Sequence, residues 1–318
     1  MEEQLLFVYM AYGGWQFRRQ AVLSILSLLQ YGPLPGKILV YTDRPGEFKE
    51  LPVEAVFLDK PTIKNWRGPY GYIHRMKIEL LDSLFKKNRR HVVFVDSDTI
   101  WTRSPAGIYE SLDNARAVMH VCENQLSDRF FPQYRTVLEK TELIKDAGLP
   151  FVPMEQFWVY NSGVLGLPST LNPALINEAL RICDLICRNA PFTMEWVEQV
   201  GFSYILQGHG VRIDTCGEDV LHYWPDSFEF GRRLKKCSFT DLADLGKDPE
   251  RIRELLKEAR KGKRSFVNQL LVRTKRLGRS MRKRKRESLV FLEKLRSKIL
   301  VRARREQEKK RHTKEGAD

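Results

Sequence analysis

From residue 5 to residue 224 the chain alternates short apolar runs with longer segments in which apolar side chains recur at helical spacing. Runs rich in β-branched and aromatic residues predict strands, and a spacing of three or four residues predicts helices. Because a helix returns the chain to the starting edge of the sheet before each parallel strand, this alternation predicts an α/β fold with a mostly parallel sheet flanked by helices. The predicted strands are 5–12, 37–42, 53–58, 91–95, 115–121, 211–213 and 220–223, with an apolar segment at 157–167, and the predicted helices are 17–30, 72–85, 173–188 and 194–206.

The charge of the chain is distributed unevenly. The net charge is +14, yet residues 247–318 hold 27 basic and 10 acidic side chains, whereas residues 1–246 hold 27 and 30. The composition therefore predicts a globular domain over 1–247 and a basic helical tail over 248–318. A nucleic-acid-binding domain would carry its basic residues on the body, so we expect the body to bind a small molecule instead.

The tail has the pattern of amphipathic helices between residues 249 and 305. Leucine and isoleucine recur at helical spacing among many arginines and lysines. An apolar stripe beside a cationic face favours an anionic membrane surface. Solvated helices, self-association into a homo-oligomer and RNA binding are the alternatives.

The sequence predicts a cytoplasmic location. The N-terminal residues lack a basic region followed by a long apolar stretch, so we expect neither a secretion signal nor a membrane-spanning anchor. The five cysteines contain no CxxC pair, which argues against a disulfide framework and against a zinc ribbon. Together with the tail, this predicts a protein associated peripherally with the membrane.

Two carboxylates, Asp96 and Asp98, directly follow the apolar run at 91–95. In a parallel sheet the carboxyl ends of the strands open onto the ligand crevice, so both side chains are expected at the mouth of a site. Like charges at close range destabilise each other, and a divalent cation compensates them. The alternative is that these residues form a turn or cap the following helix.

His222 lies near the end of the globular part, after an apolar pair and before two aromatic residues. Two carboxylates and one imidazole suit Mn²⁺ or Mg²⁺, with phosphate oxygens completing the coordination. A histidine buried in the core for structural reasons is the alternative.

A turn is predicted at Asn161-Ser162-Gly163, within the apolar segment at 157–167. Amide and hydroxyl groups at such a position form hydrogen bonds of the kind that bind a polyol. An ordinary β-turn is the alternative.

Taken together and in this order, these motifs resemble those of nucleotide-sugar glycosyltransferases with the GT-A fold, and their spacing is similar to that of family 8. The resemblance extends over about 5–224. It consists of the first strand and turn (LFVYMAYGG), the segment Tyr72-Ile-His-Arg75, Asp96-Ser-Asp98, Asn161-Ser-Gly163, Glu198-Gln199 and His222. The chain departs from the family pattern by having Glu198 in place of an aspartate, Val200 in place of an acidic residue, and neither the glycine nor the lysine that commonly follows the late histidine.

The resemblance implies a Rossmann-like GT-A domain and a role for each matching residue. Asp96, Asp98 and His222 would hold Mn²⁺ or Mg²⁺ against the diphosphate of a nucleotide sugar, with a UDP-sugar expected. The implied substrate-binding residues are Ala11 and Tyr12 near the base, and Arg75, Asp96, Asn161 and Ser162 near the donor sugar. Gln199 and Asn161 would lie at the reacting centre as the catalytic residues.

The resemblance, combined with the tail, predicts a metal-dependent hexosyltransferase. It would transfer a sugar to a glycan or lipid-linked acceptor during the synthesis of cell-surface glycans. The first alternative is a non-enzymatic adaptor that binds membrane or nucleic acid and retains a degenerate sugar-nucleotide fold. The second is a nucleotidyltransferase, for which Gly13-Gly14 with Arg18 and Arg19 poorly matches the expected glycine-rich basic loop.

Overall fold

The structure, a computed structural model, describes residues 5–32, 34, 36–87, 90–126, 132–189 and 196–258. The predicted α/β organisation is confirmed. Seven strands form a mixed, mostly parallel sheet in the order β10-β6-β9-β4-β1-β2-β3, and two strand pairs, β5 with β11 and β7 with β8, lie outside it. The strands are β1 Leu5–Met10, β2 Gly36–Thr42, β3 Glu54–Phe57, β4 His91–Val95, β5 Thr99–Trp101, β6 Ala117–Met119, β7 Cys122–Gln125, β8 Trp158–Tyr160, β9 Val164–Leu167, β10 Ile213–Thr215 and β11 Val220–His222.

Helices connect most of these strands. The helices are α1 Trp15–Leu29, α2 Lys60–Trp66, α3 Arg75–Phe85, α4 Ala106–Asp113, α5 Pro132–Leu138, α6 Thr141–Asp146, α7 Ala174–Asn189, α8 Val197–Gly208, α9 Ser227–Arg233 and α10 Phe239–Gly246. Among the described residues, no helix has the length and apolarity needed to cross a bilayer.

The central sheet separates two apolar cores. Along β1, Leu6 and Val8 pack into a core with α3, α7 and α8, whereas Leu5, Phe7 and Tyr9 pack into a core with α1 on the other face. Alternate side chains of a strand point to opposite faces, so a strand covered on both sides is apolar throughout. This explains why the strand predicted at 91–95, whose bounds the structure confirms, is apolar from Val92 to Val95.

One strand of the sheet runs against its neighbours. Strand β9 pairs antiparallel with β4 and with β6, whereas β4, β1, β2 and β3 are parallel to one another. The start of β9 therefore lies beside the carboxyl ends of β4 and β6. The turn before β9 and the turn after β4 consequently meet at one edge of the sheet.

The compact unit that contains the sheet ends at Lys257. Residues 249–258 are helical, and Ile252 and Leu256 are buried in the core that contains α1. The domain boundary predicted near Asp248 stays a prediction, and the amphipathic helices predicted beyond residue 258 lie outside the described residues.

Candidate active site

The turn after β4 and the end of β11 bring together three side chains that could bind one metal ion. Asp96 and Asp98 lie in the turn between β4 and β5, and β11 pairs antiparallel with β5 so that His222 is opposite Thr99. The Nε2 atom of His222 lies 3.3 Å from Oδ1 of Asp98 and 4.0 Å from Oδ2 of Asp96. Ligand atoms of the three residues all lie within 4.8 Å of one another.

This cluster has donor atoms that suit a divalent cation, and the distances from His222 to the two carboxylates suit one as well. A Mg²⁺-sized ion binds its ligands at about 2.1 Å in an octahedron, so ligand atoms that share it are separated by about 3 to 4 Å. The distances from His222 to Asp98 and Asp96 fall in this range. Three protein ligands are fewer than six, and the side chain of Asp96 is 26% exposed, so anionic oxygens from solution can reach the same ion. Asp96, Asp98 and His222 therefore fit the Mn²⁺ or Mg²⁺ ion predicted from the sequence.

Asp98 and His222 shift each other's pKa. Burial alone would raise the pKa of Asp98, but the hydrogen bond from His222 and its charge outweigh burial and lower the pKa of the carboxyl. Burial likewise would lower the pKa of His222, but the hydrogen bond and charge of Asp98 raise it. A cation at this cluster competes with the proton on His222, so metal affinity should decrease as the pH falls.

Asn161 sets the orientation of His222. Its Oδ1 accepts a hydrogen bond from the backbone N–H of Gly163 at 2.8 Å, and its Nδ2 donates to Glu123 at 2.8 Å. These two partners fix which end of the amide is oxygen, so the contact of 3.0 Å between Oδ1 and Nδ1 of His222 requires a proton on Nδ1. The neutral imidazole then presents the lone pair of Nε2 toward Asp98 and Asp96, as a metal ligand must.

Glu123 links the predicted catalytic residues. One of its carboxylate oxygens accepts from Nδ2 of Asn161, and the other accepts from Nε2 of Gln199 at 2.9 Å. Glu123 lies on β7, Asn161 on the turn before β9, and Gln199 in the first turn of α8. The three side chains form a row of carboxylate and amide groups beside the metal-ligand cluster.

Lys77, on α3, is the cation in contact with this cluster. Its side chain is 3% exposed, and Nζ lies 3.1 Å from Asp96 Oδ1 and 3.7 Å from Glu198 Oε1. Nζ also donates to the carbonyl oxygen and the Oγ of Ser162 at 3.0 and 3.1 Å. Lys77 thereby holds the turn after β4, the turn before β9 and the start of α8 to one another.

Glu198 is a buried carboxylate that remains ionised. Ser162 Oγ and the hydroxyl of Tyr72 donate hydrogen bonds to it, and Nδ1 of His74 lies 3.7 Å from its Oε1. Burial would raise its pKa, but the charges of His74 and Lys77 and the hydrogen bond from Tyr72 lower it to about 2. This position therefore carries a negative charge throughout the physiological pH range.

His120 covers the buried side of His222. Its ring packs edge-on against the His222 ring with centroids 5.3 Å apart, and its Nε2 donates to the carbonyl of Val220 at 2.8 Å. Burial, together with the charge of His222, lowers the pKa of His120 to about 4 against the opposing effect of the Val220 carbonyl. His120 is thus neutral near pH 7 and restricts the plane of the His222 imidazole.

The remaining predicted site residues are Ala11, Tyr12 and Arg75. Ala11 and Tyr12 follow β1, which is parallel to β4, so they lie at the same edge of the sheet. Ala11 is fully buried, and the Tyr12 hydroxyl donates to the sulfur of Met76 at 3.0 Å.

Arg75, which was predicted near the donor sugar, points its guanidinium at Asp184, with two hydrogen bonds of 2.8 and 3.1 Å. It also bonds Glu79 at 2.6 Å and the carbonyl of Trp66 at 3.0 Å. Lys77, and not Arg75, is the α3 cation that contacts Asp96.

Four site residues were not predicted from the sequence: Lys77, His74, His120 and Glu123. Lys77 carried a recognisable signal, because it lies on the same helical face as Leu80, Leu81 and Leu84, where a charged residue has to be compensated. Glu123 follows the strand predicted at 115–121 much as Asp96 follows its own strand. The two histidines had no local signal.

Comparison with known proteins adds fold-level findings only. No family model matches this sequence, and no curated protein is similar to it at a significant level. Among solved structures, the chain is similar to mouse xyloside xylosyltransferase 1 in its apo form, with 14% identity, a TM-score of 0.44, and coverage of 67% of this chain and 84% of that one. It is also similar to the galactosyltransferase LgtC in complex with donor and acceptor sugar analogues, with 12% identity, a TM-score of 0.40, and coverage of 65% and 72%. An active-site mutant of LgtC gives 11% identity and the same TM-score.

Proposed function

We propose that this chain is a metal-dependent glycosyltransferase that transfers a hexose from a nucleotide-diphosphate sugar, a UDP-sugar, to a glycan or lipid-linked acceptor. The observation that carries the proposal is the convergence of Asp96, Asp98 and His222 at the carboxyl end of a parallel strand. Such an edge is where open α/β sheets bind their ligands. The order and spacing of the motifs in the sequence agree with this function.

Each part of the site has a place in sugar transfer. A bound divalent cation would neutralise the charge that develops on the departing diphosphate. Asp96, Asp98 and His222 would hold that cation. Asn161 keeps the proton on Nδ1 of His222, and Lys77 holds Asp96 from the buried side. The chain contributes the positioning of metal ligands and reacting groups here.

The row formed by Glu123, Asn161 and Gln199 is suited to bind the donor sugar. Carboxylate oxygens accept hydrogen bonds from sugar hydroxyls, and amide groups both donate and accept them. Because Glu123 is held by both amides, its two oxygens are fixed in direction before the substrate arrives. We propose that Gln199 and Asn161 lie at the reacting centre and that Glu123 fixes their orientation.

Thermal unfolding of the full chain with Mn²⁺ and UDP tests the proposal. A ligand present at about 100 times its Kd stabilises the folded state by about 2.7 kcal/mol, so the melting temperature should rise by several degrees. Asp98→Asn removes one metal ligand and should abolish the rise. Asp244→Asn, which changes an exposed aspartate of α10, is the matched control and should retain it.

Two results would contradict the metal-dependent function: an equal UDP-dependent shift in excess EDTA, or an unchanged shift in Asp98→Asn. Where the shift is found, hydrolysis of a panel of nucleotide sugars in the presence of Mn²⁺ identifies the donor. The non-enzymatic adaptor predicts no hydrolysis of any donor.

We further propose that the basic tail places this enzyme at an anionic membrane surface on the cytoplasmic side. The support is the concentration of positive charge in residues 247–318, where apolar residues recur at helical spacing. The membrane would then hold the enzyme and lipid-linked acceptors at the same surface.

A further inference from the structure

Two tryptophans lie together beside the candidate active site. The rings of Trp196 and Trp224 pack edge to face, with centroids 5.8 Å apart and an interplanar angle of 71°. Trp196 directly precedes α8, and Trp224 follows β11 after one intervening residue. The pair therefore joins two elements that are distant in sequence.

Both tryptophans are close in sequence to residues of the site. Trp196 is two residues before Glu198 and three before Gln199, and Trp224 is two residues after His222. Consecutive Cα atoms are about 3.8 Å apart, so Cα atoms two residues apart are separated by less than about 8 Å. The Cα atom of Trp224 consequently lies within about 8 Å of that of His222, and the Cα atom of Trp196 within about 8 Å of that of Glu198.

The backbone of Trp196 adopts a conformation that bulky residues rarely use. Its φ is +59° and its ψ is +17°, in the left-handed region. Among the described residues other than glycine, Ala115 is the other example. Bulky residues with left-handed backbone angles are uncommon, and they cluster at functional sites. Here the conformation leads directly into the turn of α8 that carries Glu198 and Gln199.

Trp224 leaves much of its indole surface in water. Its exposed fraction is 44%, although its neighbour Tyr223 is 1% exposed. Large exposed aromatic side chains are enriched at binding sites, because they contribute a wide contact area at a small cost in conformational entropy. Its ring partner Trp196 is three residues before Gln199, whose Nε2 donates to Glu123, so polar groups are close along the chain to the aromatic pair. An entirely apolar ligand would desolvate such groups at a cost.

We propose that Trp196 and Trp224 form an acceptor subsite that binds a pyranose ring. A pyranose has faces of C–H bonds that pack against an indole and an edge of hydroxyls that bonds polar groups, so it matches both kinds of surface. This inference rests on the proposed glycosyltransferase function and adds to it that the group receiving the transferred sugar is itself a sugar. A lipid phosphate has no such face.

The six tryptophan indole N–H signals of the ¹⁵N-labelled full chain provide a test that does not depend on activity. Single Trp→Phe variants assign the signals. The probes are methyl β-D-glucopyranoside, methyl β-D-galactopyranoside and methyl β-D-xylopyranoside, with glycerol as a polyol that has no ring. We expect at least one glycoside, and not glycerol, to shift the signals of Trp196 and Trp224 while that of Trp158 stays in place.

Variants then measure the contribution of the ring. Trp224→Ala should weaken glycoside binding about tenfold, the effect expected when an aromatic contact is lost, and Trp224→Phe should retain most of the affinity. Trp158→Ala removes an indole of similar exposure, 42%, and should leave binding unchanged. The subsite is refuted if none of the three glycosides shifts either signal, if glycerol shifts them equally, or if Trp224→Ala binds like the wild type.

A separate titration with Mn²⁺ and UDP keeps the two proposals distinguishable. A response to Mn²⁺ and UDP without a glycoside response supports the glycosyltransferase and overturns the subsite. A glycoside response confined to Trp196 and Trp224 without a response to Mn²⁺ and UDP supports pyranose binding at this pair, whereas the donor proposal fails and the role of the bound sugar as acceptor fails with it.

Discussion

Lys77 is buried between two carboxylates, and its surroundings show why both are needed. Removing an ammonium group from water costs several kcal/mol unless oppositely charged or polar groups surround it. Asp96, Glu198 and two oxygens of Ser162 do so here. Removing either carboxylate would leave the lysine incompletely compensated. Glu198 and Asp96 therefore contribute to the stability of the fold as well as to the site.

The depressed pKa of Glu198 predicts a specific dependence of stability on pH. Because its pKa is about 2 in the folded state against 4.5 in the unfolded state, its ionised form stabilises the fold above pH 4.5, and that stabilisation is lost as the pH falls toward 2. Between pH 5 and pH 3 the loss should be about 2 kcal/mol. Glu198→Gln should lack this component, whereas the exposed-site control Glu142→Gln should retain it. Urea unfolding at the two pH values measures the difference, and equal pH dependence in Glu198→Gln and the wild type would contradict the assignment.

Asn161→Ala should weaken metal binding without a direct change to any metal ligand. The substitution removes the oxygen that accepts from Nδ1 of His222 and the amide that donates to Glu123. Loss of a group that orients a ligating histidine commonly lowers metal affinity about 10- to 100-fold. The measurement is the Mn²⁺ concentration that gives half of the UDP-dependent rise in melting temperature. An unchanged concentration would show that Asn161 does not orient His222.

Some residues of the site could be predicted from the sequence and others could not, for a physical reason. Asp96 and Asp98 directly follow an apolar strand, so their place at the mouth of the sheet depends only on the chain next to them. The contacts of Glu123 depend on the pairing of β7 with β8, and those of Lys77 depend on the pairing of β9 with β4 and on the packing of α3. The sequence around each residue does not encode these pairings.

At the scale of elements, the turn before β9, which carries Asn161 and Gly163, determines how closely it approaches the turn after β4, which carries Asp96. Gly163 donates its N–H to Asn161, and its carbonyl accepts from the backbone N–H of Asp96 at 2.8 Å. A Cβ atom at this position would overlap Nδ1 of His222 and lie 2.9 Å from Oδ1 of Asn161. Because both backbone groups of Gly163 are bonded, the turn cannot withdraw to make room.

Gly163→Ala should therefore damage the site more than a glycine-to-alanine change elsewhere. We expect a loss of about 1 to 3 kcal/mol in the free energy of unfolding from the steric overlap, and the loss of the UDP-dependent thermal shift with Mn²⁺. Gly107→Ala, on α4, adds a methyl group with no atom within 4 Å and should be neutral or slightly stabilising. Retention of the full thermal shift in Gly163→Ala would show that His222 can move without loss of the metal.

The elements that were predicted least accurately are those with the weakest local pattern. Helix α3 begins at Arg75 and not at residue 72, because Gly68 and Gly71 adopt positive φ in the turns that precede it. The segment at 157–167 divides into β8 and β9 at Asn161–Gly163. Residues 123–153, for which no helix or strand was predicted, contain most of β7 and all of α5 and α6. These short elements depend on tertiary packing more than on a periodic pattern of their own.

At the scale of the whole molecule, charge and packing divide the chain at different places. The basic excess begins at residue 247, yet Ile252 and Leu256 are 0% and 3% exposed within the core that contains α1. Helical residues 249–258 thus contribute apolar side chains to the body, although their composition resembles that of the tail. A cut intended to separate body from tail should follow residue 258.

A pair of truncated chains tests this division together with the membrane proposal. Burial of an isoleucine or leucine contributes about 1.5 to 3 kcal/mol each, so a chain ending at Asp248 should be about 3 to 6 kcal/mol less stable than one ending at Glu258. The longer chain should keep the thermal shift with Mn²⁺ and UDP.

The full chain should sediment with phosphatidylserine vesicles in a salt-dependent manner, because each basic residue near the surface adds about 1 kcal/mol and salt screens this attraction. The chain ending at Glu258 should no longer sediment with them. If the chain ending at Glu258 still sediments with these vesicles, or if the full chain never does, the tail does not bind membrane. Self-association then becomes the better account of the tail, and sedimentation velocity without lipid measures it.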